Sequence, residues 1–179
     1  FSGTLYSSYL VNIGSFSSDF GGLTTLLVND YATTDSNRRF YAEADGRTAT
    51  NAPGVRYIST DEAVGSTALT TGATYLVLSK FTNVGVSLSG VDPGVATLWT
   101  LTLDQFADFV AAGRLETWLD TSGNVQNRAT ISQTSGTYDF DSSDYVRMAC
   151  YAKSGSAFEQ ATFDEIRYGT ELTDVTPVV

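Results

Sequence analysis

The chain reads as all-β, a two-sheet antiparallel β-sandwich or a barrel with one short helix, on three observations. About ten short runs rich in β-branched and aromatic residues alternate with turn clusters at roughly even spacing. Ser and Thr number 19 and 25, about a quarter of the 179 residues, and 16 Gly, 10 Tyr and 10 Phe supply turns and strand interiors. One segment only carries a helical period.

In chain order, residues 4–11 alternate, with Leu5, Tyr9 and Val11 among the apolar members. Gly21-Gly22 precedes a run at 23–28 that Asn29-Asp30 ends. A run at 38–44 is followed by Asp45-Gly46, the strongest single turn signal in the chain. Thr71-Gly72 leads into 73–81, where Tyr75, Val77 and Ser79 oppose Leu76, Leu78 and Lys80. Runs at 84–88, 96–101, 115–119, 129–132, 145–151 and 161–168 complete the set. No linker interrupts them, so 1–179 reads as a single domain.

The exception lies near 103–113. Thr102 and Gln105 have the spacing of a capping box, and Leu103, Phe106, Phe109 and Val110 recur at helical spacing. Asp104 suits the positive end of the helix dipole, and Gly113 with Arg114 supplies a stop. A helix of about ten residues does not stand alone in water, so its Phe face is expected to pack on a sheet.

Composition removes whole classes of function. His is absent, which excludes His-dependent triads, His general bases and His-ligated zinc. Ten Lys and Arg against 20 Asp and Glu give a net charge of −10, so no basic stripe exists for nucleic acid. No apolar run approaches the ~20 residues of a membrane-spanning helix. Cys150, the one cysteine, precludes an intrachain disulfide, and its flanks Met148-Ala149 and Tyr151 suggest a buried strand position. The chain begins at Phe1 with no basic region and apolar stretch behind it, so we expect an exported chain trimmed of its signal.

Two groups of carboxylates stand out. Phe163 and Ile166 are three apart, so a regular strand does not put both on one face; a bulge at Asp164-Glu165 restores both to the core and turns the carboxylates outward. A carboxylate at such a kink is a candidate Ca²⁺ ligand, the alternatives being a turn cap or a pair with Arg167. Asp139, Asp141 and Asp144 form a second cluster, a solvated loop or a metal site, without the Gly and distal Glu of an EF-hand.

Retaining glucanases need paired carboxylates on one strand face. The nearest approach here is Glu43-Ala44-Asp45, which lacks the third carboxylate and runs into a turn. We therefore expect no enzyme, and Glu43→Gln and Asp45→Asn to leave the fold intact. Sugar binding needs aromatic platforms beside side chains that reach hydroxyls. The candidates are Trp118, Tyr31, Tyr138, Trp99 and Tyr57, with Asn37, Arg38 and Arg39; Trp99, between Leu98 and Leu101, is the one expected in the core.

The run Phe163-Asp164-Glu165-Ile166-Arg167-Tyr168-Gly169-Thr170, continued by Leu172-Thr173-Asp174-Val175-Thr176-Pro177, resembles the closing strand of bacterial concanavalin A-like (laminin-G-like) lectin/glucanase domains. Thr70-Thr71-Gly72-Ala73-Thr74-Tyr75-Leu76-Val77 and the strand at 3–10 resemble two further strands of that family, in the same order. Leu103-Asp104-Gln105-Phe106 resembles a helix found in members carried on secreted proteins with C-terminal sorting tails. Family members usually have another strand before the 3–10 equivalent and the sorting tail, and this chain has neither, so we expect it to be trimmed at both ends. The resemblance implies a concanavalin A-like jelly roll on a secreted or cell-surface protein. It also implies a structural Ca²⁺ near Asp164 and a non-catalytic role in binding a polysaccharide or cell-surface glycan, or in adhesion. The rival expectation is a structural subunit that assembles with copies of itself through open strand edges into a filament, matrix or surface layer.

Overall fold

The computed structural model describes residues 2–15, 23–29, 38–44, 52–57, 62–137, 144–150 and 160–177. It is mostly β, with antiparallel sheets and few helices. Five strands, β1 (Gly3–Ser15), β6 (Thr74–Val84), β8 (Gly94–Thr102), β9 (Asn127–Gln133) and β12 (Gln160–Gly169), form a first sheet in the order β12-β1-β6-β8-β9. A second sheet runs β11-β2-β3-β4-β5, from β2 (Leu23–Asn29), β3 (Arg38–Glu43), β4 (Gly54–Arg56), β5 (Ala63–Val64) and β11 (Asp144–Cys150). A ribbon pairs β7 (Ser87–Leu88) with β10 (Gly136–Thr137). Three helices complete the described chain: α1 (Leu103–Ala111), α2 (Glu116–Leu119) and α3 (Leu172–Val175).

One apolar cluster joins the two sheets. Tyr9, Val11, Val77, Phe81 and Leu98 of the first meet Phe40, Val55 and Tyr57 of the second, with Phe40 5.2 Å from the Tyr57 ring and 5.1 Å from Phe81. A second cluster lies on the opposite face of the first sheet. There Leu76, Leu78, Trp99 and Leu101 are covered by Phe106 and Phe109 of α1, Leu119 of α2, and Leu172 and Val175 of α3. Alternate residues of β6 thus enter two different cores, which is why residues 75–78 are a continuous apolar run.

The helix follows its sequence signals. Thr102 Oγ1 accepts from the Gln105 amide at 3.2 Å, and Gln105 Oε1 accepts from the Thr102 amide at 3.0 Å, closing the capping box. Gly113, at φ 81°, ends it in the left-handed region, with Arg114 N–H bonded back to Phe109 O. Leu103, however, is 52% exposed and does not join the packed face.

Other expectations are corrected. Residues 116–119 form α2, not a strand: Leu115 stays extended and exposed ahead of it, Trp118 and Leu119 turn inward, and five residues are too few for periodicity to decide. The run at 84–88 is broken, because β6 ends at Val84 and only Ser87–Leu88 pairs again. The bulge in β12 is real but one residue further on. Ser8 faces Arg167 and Leu10 faces Asp164, so Tyr9 opposes both Glu165 and Ile166, and Glu165 takes φ 52°. The slip puts Phe163 and Tyr168 against the inter-sheet cluster while Ile166 stays 44% exposed. Cys150 ends β11 in register with Leu23.

At one margin the sheets are tied by a side chain. Asn127, buried at the start of β9, accepts from Thr67 N–H and donates to Thr67 O, both at 2.9 Å, and donates to Thr100 Oγ1 at 3.2 Å. Thr67 follows β5, so the amide works as a rung between the sheets. Gly65 is required beside it, since a Cβ there would come within 2.6 Å of Asn127 Oδ1. Asn127→Ala is expected to lower unfolding free energy by about 2–3 kcal/mol, from several lost hydrogen bonds and stranded polar groups. Urea denaturation reads this, and a loss under ~0.5 kcal/mol would show that water replaces the amide.

Candidate functional site

Of the glycan candidates, two are consumed by the interior. Trp99 is buried and its indole N–H donates to Asp120 Oδ1 at 3.2 Å, an oxygen that also accepts from Arg128 Nε at 2.9 Å. Tyr57 is buried with its hydroxyl donating to Thr82 O at 2.7 Å. Trp118, half-buried on α2, packs its ring 5.7 Å from Phe109. Arg38 opens β3, and its side chain, like that of Asp144 in β11, lies outside what the structure describes, as do Tyr31, Asn37, Tyr138, Asp139 and Asp141 altogether.

Asp164 is exposed at the β12 bulge, where its Oδ1 accepts from the Glu165 amide at 2.8 Å. Arg167 pairs with Glu165 instead, at 2.5 Å. Among the described residues no group of three or more carboxylates or thiols converges on a point. Asp164 would supply only part of the six to eight oxygens that calcium takes, one of its own being turned to the Glu165 amide.

Glu43 does end β3, but it is only 1% exposed, so it is a buried carboxylate and not an indifferent strand end. Asp45 lies outside the described residues. Burial, and then the charge of Glu43, hold the Tyr9 phenol well above its ordinary range.

Sequence reading missed a polar knot on the helix-covered face. Glu116, the first residue of α2, takes the Tyr6 hydroxyl at 2.9 Å on one oxygen and Lys80 Nζ at 2.6 Å on the other. Lys80 also lies 5.7 Å from the centre of the Tyr6 ring. Tyr6 stands in β1, Lys80 opposite it in β6, and Glu116 about 110 residues from the first, so no local pattern announces them. Nearby, Leu10, Leu103, Phe106, Ala107, Asp164, Glu165 and Pro177 line an open groove of about 460 Å³ between α1 and β12.

Desolvation, aided by the hydrogen bond to Glu116, raises the Tyr6 pKa, as burial raises that of Tyr9. A phenol raised in the folded state stabilises fully below its unfolded value of about 10, and that stability is lost as pH climbs from there towards the folded value. Ultraviolet titration is therefore expected to show two or more of the 10 tyrosines silent near pH 10 until the fold is lost. All ten titrating together in the folded protein would contradict this. Tyr6→Phe should flatten the alkaline decline in stability.

Among the described residues no helix is long and apolar enough to cross a membrane. Neither a protein-family model, nor a curated protein, nor a solved structure matches the chain.

Proposed function

We propose that this is a non-catalytic extracellular β-sandwich domain of the concanavalin A-like kind that works by binding, with a polysaccharide or cell-surface glycan as its ligand class. The fold part of this reading rests on the two five-stranded sheets and the core they share. The binding part rests on one observation, the register of the second sheet. Asn29 faces Asp144 and Val28 faces Arg38, so β2, β3 and β11 meet at one end of that sheet. In sequence, Tyr31 comes two residues after β2 and Tyr138 six before β11, so these two candidates flank that end along the chain, as Trp118 on α2 does not. With Trp99 and Tyr57 spent on packing, the glycan reading falls to Tyr31, Tyr138 and Arg38, the candidates that flank this end in sequence.

A second reading, a self-assembling structural subunit, is favoured by the open sheets, whose outer strands are β12, β9, β11 and β5. Affinity electrophoresis in a panel of soluble polysaccharides separates the two. The glycan reading expects retardation that Tyr31→Ala, Tyr138→Ala or Arg38→Ala weakens about tenfold, while Trp118→Phe leaves it unchanged. No retardation in any polysaccharide, together with high-mass species in light scattering, would replace it by the structural reading. A monomer at every concentration removes the latter.

A further inference from the structure

We infer that the groove between α1 and β12 docks a short cationic and aliphatic peptide segment of a partner protein. Its floor is apolar: Leu10 of β1, Leu103, Phe106 and Ala107 of α1, and Pro177 beyond α3. Leu103 carries the argument. The capping box fixes where α1 begins, so this side chain is held at the first helical position, half exposed, while Phe106 and Phe109 take the packed face. A fixed, exposed leucine beside a concave apolar surface gains on being covered, and nothing else in the described fold covers it.

The rim decides what covers it. Asp164 and Glu165 line the groove on the strand side. Glu165 is neutralised by Arg167, but Asp164 has no cation among the described residues; its one bond is to a backbone N–H. Asp104 and Asp108, outside the lining but next in sequence to Leu103 and Ala107, are exposed on α1, again with no described ion pair. An apolar floor beside the unpaired Asp164, on a chain of net charge −10, complements Lys or Arg adjacent to Leu. A second copy would bring acid to acid. A glycan would find neither an exposed aromatic face nor an amide in this lining. The proposal uses none of the residues of the glycan reading and stands or falls apart from it.

The test is titration of the ¹⁵N-labelled full chain with acetyl-Gly-Lys-Leu-Leu-Arg-Gly-amide, followed by amide shifts. Saturable shifts are expected at Leu103, Ala107, Asp164 and Glu165, with Kd rising as salt is added. Leu103→Ser should weaken binding about tenfold and Asp164→Asn severalfold. Ala107→Arg, at an exposed position that leaves the packed helix face untouched, should abolish it by placing a cation in the groove, and serves if Leu103→Ser does not fold. Absence of saturable shifts overturns the inference. So does equal binding of the same peptide with Glu in place of Lys and Arg, or an unchanged Kd in a folded Leu103→Ser or Ala107→Arg. The same shifts appearing on concentrating the protein alone would assign the groove to a second copy and equally overturn it.

Discussion

Burial of the first sheet on both faces is the constraint from which the rest of the structure follows. An antiparallel sheet commonly leaves one face to water, and its strands then alternate. Here β1, β6 and β8 have a second sheet on one side and three helices on the other, so every side chain along them must be apolar or satisfied. The polar residues show how a Ser- and Thr-rich chain meets that demand. Ser7 and Ser79, opposite each other in β1 and β6, share a hydroxyl hydrogen bond at 2.5 Å. Ser8, on the other face, donates to Val175 O and fastens α3. Thr100 receives the Asn127 amide. Hydroxyls that read as surface composition in the sequence are, in these strands, internal fasteners.

The helical layer follows from the same demand. Leu76, Leu78, Trp99 and Leu101 would otherwise form a continuous exposed apolar patch, and α1, α2 and α3 each supply one or two large side chains to close it. None of the three is long enough to be stable alone; each is held by caps or by polar ties to the sheet. For α2 the tie is Glu116, gripped by Tyr6 and Lys80. The groove arises where this layer stops short of β12, leaving Leu103 uncovered.

Much of this was legible where it depends on local order. The long strands declared themselves by alternation, α1 by its capping box and its Phe pair, and the interior position of Trp99 by its leucine neighbours. What escaped depends on few residues or on distant ones. β4 and β5 span three and two residues, less than any period can mark. Leu115, Trp118 and Leu119 suit a strand or a helical turn, and only the apolar face above Trp99 selects the latter. The β12 bulge was inferable from the Phe163–Ile166 spacing, but its position was not, because the register against Tyr9 sets it. The groove was illegible for the same reason: Leu10, Leu103 and Asp164 become neighbours only once strands from both ends of the chain are paired.

That pairing orders events during synthesis. β1 is hydrogen-bonded to β6 on one side and β12 on the other, so one flank of β1 waits for a strand made about 150 residues later. Until residue 169 has emerged, one flank of β1 is an open edge, and Tyr9 lacks the Phe163 ring that packs 5.8 Å from it. Until β12 docks, the chain therefore carries a half-paired, apolar strand, a state in which strand exchange with neighbouring chains competes with closure. Completion of the sheet is a single late docking step over a loop of some 150 residues, slow by its contact order and governed by how long β1 can be kept from other partners.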